Sequence, residues 1–298
     1  MSPANHLDRA RVFFGRLSTT EARVYVELPE AAAGASLHGM VVGPRSRYAK
    51  TLPARLPLRP VKATAGLLAE AFVPDPCFWS ADSPYLYDVE IELIQDGAVI
   101  EQATRLLGLR PLGASGRQLR YEGKNWVLRV AGSLDAFEFS DLHEQELAVV
   151  ATHPDDQFCR ECSEAGVLIV ADLDGGLAID QELERLARWP AVGLAYMVNP
   201  EEVPADPRVH ARNILLLHRV SDDPRALPWA DAVCVRVDEL SALPAALVQM
   251  EKPVIAWRPS GERVGAIENR RAVDRLQRDV ALYLSEHPAG AEPAGYWA

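Results

Sequence analysis

The chain has 298 residues, 48% of them hydrophobic, enough apolar mass to bury a large core in one or two domains. A formal net charge of −11 with a pI near 5.2 argues against nucleic acid or an anionic membrane as a partner, because both attract basic patches. No run of about 18 apolar residues occurs, so no membrane-spanning helix is expected.

The opening MSPANHLDRARVFF lacks the apolar stretch of a secretory signal, which makes the cytoplasm the expected compartment. The first ~112 residues then read as short strands: RVFFGRLS, ARVYVELP, SLHGMVVG, GLLAEAFV, LYDVEIELI and AVIEQATRLL. LYDVEIELI alternates apolar and polar residues most cleanly, as a half-buried strand should. Proline-bearing stretches such as PARLPLRPVK are read as breaks between strands. Six or seven such strands predict an immunoglobulin-like β-sandwich over residues 1–112. The small, polar segment 113–117 within PLGASGRQ is the expected linker.

From residue 118 to 298 the pattern changes. Apolar strands NWVLRVAG, ELAVVATH, GVLIVADL, VGLAYMVN, RNILLLHRV, DAVCVRVD, KPVIAWRP and AGYWA alternate with helical segments. Those segments are DDQFCRECSEA, AIDQELERLARWP, ELSALPAALVQME and NRRAVDRLQRDVALYLSEHP. Buried strands joined by helices imply parallel pairing. Eight of them predict a (β/α)₈ barrel, giving a multi-domain β plus α/β chain; because ELAVV could equally finish the preceding helix, an open α/β sheet of fewer strands is the alternative. The barrel must be reduced: 298 − 117 = 181 residues is short of the typical ~250, so some crossovers should lack a helix.

Cys159 and Cys162 in FCREC have a C-x-x-C spacing, but no second ligand pair accompanies them, so two buried helix cysteines are expected and no metal. Pro154, Asp155 and Asp156 read as a helix start rather than metal ligands beside His143 and His153. No G-x-G-x-x-G or P-loop is present, and no cofactor is expected.

One stretch, PDPCFWSADSPYLYDVEIELIQDGAVIEQATRLLGLRPL, resembles the end of the sandwich domain in glycoside hydrolase family 2, the family of β-galactosidases and β-glucuronidases. The likeness rests on Trp79, on the turn Ser83-Pro84-Tyr85-Leu86-Tyr87 and on Gly108-Leu109-Arg110. Downstream, THPDDQFCRECSEAGVLIVADL, WPAVGLAYMVNPEE, KPVIAWRPSG and GAEPAGYWA are similar to the family's barrel segments. The family's first, jelly-roll domain has no counterpart in this sequence.

The resemblance implies a retaining glycosidase, which needs two carboxyl groups about 5–5.5 Å apart. It assigns the asparagine before the acid to Asn199, the acid itself to Pro200 and the nucleophile to Arg258. Neither Pro200 nor Arg258 can serve, so a member that has lost glycosidase activity is expected, binding a carbohydrate or a protein partner. The implied ligand-binding residues are Asp172, Tyr196, Asn199, Trp257, Arg258 and Trp297. Arg258 is expected to pair with Asp172 or Glu201. The alternative is an active β-glycosidase with relocated carboxylates, Glu201 or Glu202 acting with Glu262 or Glu268.

Overall fold

The structure is a computed structural model describing residues 6–30, 34–132, 137–174, 178–197, 203–220, 227–238, 240–259 and 264–298. It divides into two compact units: residues 1–110 with 188–190, and residues 111–187 with 191–298.

The first unit is built on seven antiparallel strands: β1 (Arg11–Leu17), β2 (Glu21–Leu28), β3 (Ser36–Arg45), β4 (Ala54–Val61), β5 (Leu67–Pro74), β6 (Leu86–Gln95) and β7 (Ala98–Leu107). Their order is β1-β2-β5-β4-β3-β6-β7. Six of the seven were expected. β4 was not, because it contains Pro57 and Pro60, and proline cannot donate to a ladder. Its pairing explains the tolerance. Residues Ala54–Leu58 pair with β3, while Arg59–Val61 pair with β5, so each proline sits where β4 has only one described neighbour. Changing neighbours midway, β4 joins two groups of strands into one sheet. The alternating face of β2, with Ala22, Val24, Val26 and Leu28 all at 0% exposure, meets Val89, Ile91 and Leu93 of β6 in one core.

The second unit opens with a meander, β8 (Leu112–Ser115), β9 (Gln118–Tyr121) and β10 (Lys124–Trp126). The expected linker 113–117 is therefore the end of β8 and its turn into β9. A closed parallel barrel follows: β11 (Leu128–Ala131), β12 (Ala148–Thr152), β13 (Ile169–Asp172), β14 (Val192–Met197), β15 (Leu215–Val220), β16 (Ala232–Arg236), β17 (Val254–Trp257) and β18 (Gly295–Trp297). Leu119 of β9 joins the barrel's interior cluster, and Arg117 donates to the carbonyls of Val248 and Met250, which precede β17. The meander thus closes the end where the strands begin. The end where they finish is left for a site.

Helices cover part of the outside: α1 (Phe139–Glu144), α2 (Asp156–Ala165), α3 (Ile179–Leu186), α4 (Leu243–Gln249) and α5 (Ala266–Glu286). α1 was not expected; six residues are too few for apolar periodicity to show. Between β14 and β15 only a 3₁₀ turn, Pro207–Val209, is described. In the connection between β15 and β16, Trp229 packs edge-on at 5.5 Å against His218, which is 8% exposed. Lys252 holds that loop by donating to the carbonyls of Leu227, Pro228 and Ala230 at 2.8, 3.4 and 2.6 Å.

α2 begins as its sequence indicates. Asp155 caps it, accepting from the Phe158 amide at 2.8 Å, with Pro154 one place ahead of the cap rather than in the first turn. Gly166 ends it at φ +77°, the left-handed conformation that favours glycine. Cys159 and Cys162 are both fully buried free thiols, and burial pushes Cys159 up to about 12. Among the described residues no helix is long and apolar enough to cross a membrane.

Candidate functional site

Along each barrel strand, alternate residues point inward, and the last inward residue stands at the open mouth. In β14 the inward series is Leu194 and Tyr196; in β17 it is Ile255 and Trp257; in β18 it ends on Trp297. The three aromatic rings meet there. Trp297 lies 5.2 Å from Tyr196, edge to face, and 5.3 Å from Trp257 at an interplanar angle of 38°.

The same alternation brings two residues that sequence reasoning missed. Arg219 follows inward-facing Leu215 and Leu217 on β15, and Arg236 follows Ala232 and Cys234 on β16. Their guanidinium carbons lie 4.8 and 5.8 Å from the Trp257 ring centre. Such contacts are worth roughly 0.5–2 kcal/mol each. Arg219 also donates to the Tyr196 hydroxyl at 3.3 Å, while Arg236 pairs with Asp238 at 2.5 Å. The signal was present in RNILLLHRV and AVCVRVD: a cation at the inward register of a strand's last turn.

Asp172 ends β13, opposite Tyr196 in the β13–β14 register. Its carboxylate accepts from the Asp174 amide at 3.1 Å and from the Thr152 hydroxyl at 3.5 Å. Burial raises its pKa above the ordinary carboxyl value, against the lowering effect of the Asp174 amide, with the nearby Asp174 charge adding to the rise. Burial likewise raises the Tyr196 phenol, keeping it a neutral hydroxyl. The Trp297 indole Nε1 is buried with no acceptor among the described residues, in a side chain only 6% exposed. A buried donor without a partner costs about 1–3 kcal/mol, a debt that a ligand acceptor would remove.

Arg258 departs from expectation. Its side chain does not pair with Asp172: Nη1 lies 2.9 Å from Asp279 on α5, and Nε donates to the Val237 carbonyl at 3.5 Å. Its charge is thus engaged by the outer helix instead of standing free among the aromatic rings. Glu268, one of the alternative carboxylates, is exposed in the first turn of α5, 3.9 Å from Arg271. Asn199, Pro200, Glu201, Glu202 and Glu262 lie outside the described residues. His153, set aside as a metal ligand, has Nε2 3.0 Å from the Asp174 carbonyl.

The site therefore offers an aromatic platform, two cations stacked on one of its rings, a carboxyl group with a raised pKa, and an unspent indole donor. Such a mixture of apolar faces and donors suits a small hydroxylated ring.

Residues 18–110 match the profile of glycosyl hydrolases family 2. A β-galactosidase of Lactococcus lactis subsp. lactis (strain IL1403) is 34% identical over 79 residues, which is 26% of this chain and 8% of that one. In three dimensions the chain is similar to the β-glucuronidase of Bifidobacterium dentium, solved with coumarin-3-O-glucuronide: TM-score 0.59 at 15% identity, over 97% of this chain and 59% of that one. It is also similar to a β-glucuronidase of Ruminococcus gnavus, solved with a C6-substituted uronic isofagomine: TM-score 0.64 at 12% identity, over 97% and 60%. The chain thus spans about three fifths of the length of those structures and far less of the β-galactosidase. Over residues 18–110 the chain is thus similar in sequence to glycosyl hydrolases family 2, and its fold is similar to that of the β-glucuronidases.

Proposed function

We propose that this chain is a glycoside-hydrolase-family-2-like protein without glycosidase activity, whose barrel mouth binds the ring of a carbohydrate on Trp257 and Trp297. In this reading the first unit is an immunoglobulin-type sandwich bridged by β4, and the barrel is a reduced (β/α)₈ form that carries the ligand.

One observation carries the proposal. The position that the family resemblance gives to the attacking carboxylate is Arg258, and its guanidinium is engaged by Asp279 and the Val237 carbonyl. Double displacement needs an anion there to attack the anomeric carbon, and a guanidinium cannot attack. The remaining features favour holding a sugar. A ring can lie on the indole faces, its hydroxyls can accept from Trp297 Nε1 and Arg219, and Asp172 can accept from it.

Two measurements test this. Purified protein incubated with 4-nitrophenyl β-galactoside, β-glucuronide and β-mannoside is expected to release no nitrophenol above the buffer rate. Turnover abolished by Glu201→Gln or Glu268→Gln would overturn the reading in favour of relocated carboxylates. Titration calorimetry with the corresponding methyl glycosides is expected to give weak binding, lost in Trp257→Ala. Heat unchanged in that variant would remove the barrel mouth as the site.

A further inference from the structure

The first unit contains a cavity of about 340 Å³, far in sequence from the barrel residues just described. That volume lies at the lower end of the range of about 300–1,000 Å³ usual for small-molecule sites, and so matches one ring better than a chain of rings. Pro44, Leu56 and Val73 supply apolar wall, and Tyr85 and Tyr87 also line it. Gly43 shapes it. At φ +154° it passes so close to Tyr87 that an added Cβ would lie 2.7 Å from the ring.

The polar groups of the cavity are unspent. Among the described residues, the side chains of Lys50, Thr51, Asp75 and Tyr85 make no hydrogen bond or ion pair. Tyr87 is 1% exposed; its hydroxyl accepts from the Cys77 amide at 2.9 Å, and its own proton has no acceptor among the described residues. A buried phenol proton without an acceptor is costly, and a ligand oxygen would satisfy it. At the rim Leu52 is 95% exposed, an apolar side chain standing in water beside the opening.

From these features we infer a second ligand site, on the first unit, for an uncharged, hydroxyl-rich ring of monosaccharide size. One cation, Lys50, and one anion, Asp75, leave the lining without net charge, which favours neither an anionic nor a cationic ligand. The Tyr85 side chain and the apolar wall match the C–H face of such a ring, and the hydroxyls, ammonium and carboxylate match a ligand that both donates and accepts. Leu52 would be covered by it.

The test separates this site from the barrel mouth by working in the Trp257→Ala variant. Saturation-transfer NMR with methyl β-glucopyranoside, methyl β-galactopyranoside and methyl β-mannopyranoside is expected to show transfer to at least one of them. Affinity should fall about fivefold on adding Lys50→Met and about tenfold on adding Tyr85→Ala, the effect of losing one or two hydrogen bonds. Cys77 gives a local reading in the unaltered protein: it lines the cavity and is half-buried, whereas the other three cysteines are fully buried. Iodoacetamide labelling of Cys77, followed by peptide mass spectrometry, should slow in the presence of the bound glycoside. No transfer from any glycoside at about 10 mM, stronger transfer to benzoate or phenethylamine, transfer unchanged by both variants, or Cys77 labelling unaffected by saturating glycoside would each overturn the inference.

Discussion

The antiparallel unit and the barrel unit keep their likeness to known proteins in different ways. In the first unit the residues that carry the likeness are also the residues that pack. Trp79 is 1% exposed, its amide donates to the Leu109 carbonyl at 2.9 Å, and Arg110 lies 6.0 Å over its ring. Gly108 is glycine because a Cβ there would sit 2.9 Å from Trp79. A signature made of such contacts cannot drift without a loss of stability, and the family profile ends at Arg110, where this packing ends. The barrel needs only apolar side chains of suitable size facing in and out. Many sequences satisfy that, so a barrel can keep its fold with little sequence likeness; over both units together the fold is shared with the β-glucuronidases at 12–15% identity.

The sharpest test of this contrast is Trp79→Ala, expected to lower the unfolding free energy of the first unit by about 4 kcal/mol in urea denaturation followed by circular dichroism. A cost below about 1 kcal/mol would break the comparison, because the signature would then not be a packing device. Lys252→Met, in the barrel, leaves the carbonyls of Leu227, Pro228 and Ala230 without their donor. A loss of about 2 kcal/mol is expected by the same measurement, smaller because loop carbonyls can turn to water.

Asp172→Asn should act in the opposite direction. Burial raises the Asp172 pKa, so at neutral pH the folded state holds a charge it disfavours. The variant is expected to melt about 2 °C higher at pH 7. That gain should shrink as pH falls through the raised pKa and vanish below the ordinary carboxyl range, where the acid is protonated in both states. A gain independent of pH would mean that charge is not its cause. The smallest effect belongs to Arg55→Ala. Its ion pair with Glu90 on the first unit is 2.9 Å long but 59% and 43% exposed, and less than about 0.5 kcal/mol should be lost.

Much of the fold was legible because burial imposes a period. LYDVEIELI could only be a one-sided strand, and the barrel strands stood out as apolar runs except ELAVVATH, which could equally have finished a helix. β4 was hidden because its prolines forbid a two-sided strand, and nothing local reveals that each half has one neighbour. Arg219 and Arg236 were overlooked for a related reason. A charge at the end of an apolar run reads as the start of a loop until the barrel's inward register is known.

What the sequence by itself determined is most of the strands and the longer helices, the helix cap at Asp155 and the absence of a carboxylate at residue 258. Each depends on neighbours within a few positions, where the chain's own geometry fixes what can touch. Tertiary structure alone decided that Arg258 is held by Asp279, that Tyr196, Trp257 and Trp297 share one mouth, and that Lys50, Asp75 and Tyr87 border one cavity. Those pairings join residues tens of positions apart, and only closure of the barrel and the turning of the sheet bring them within reach.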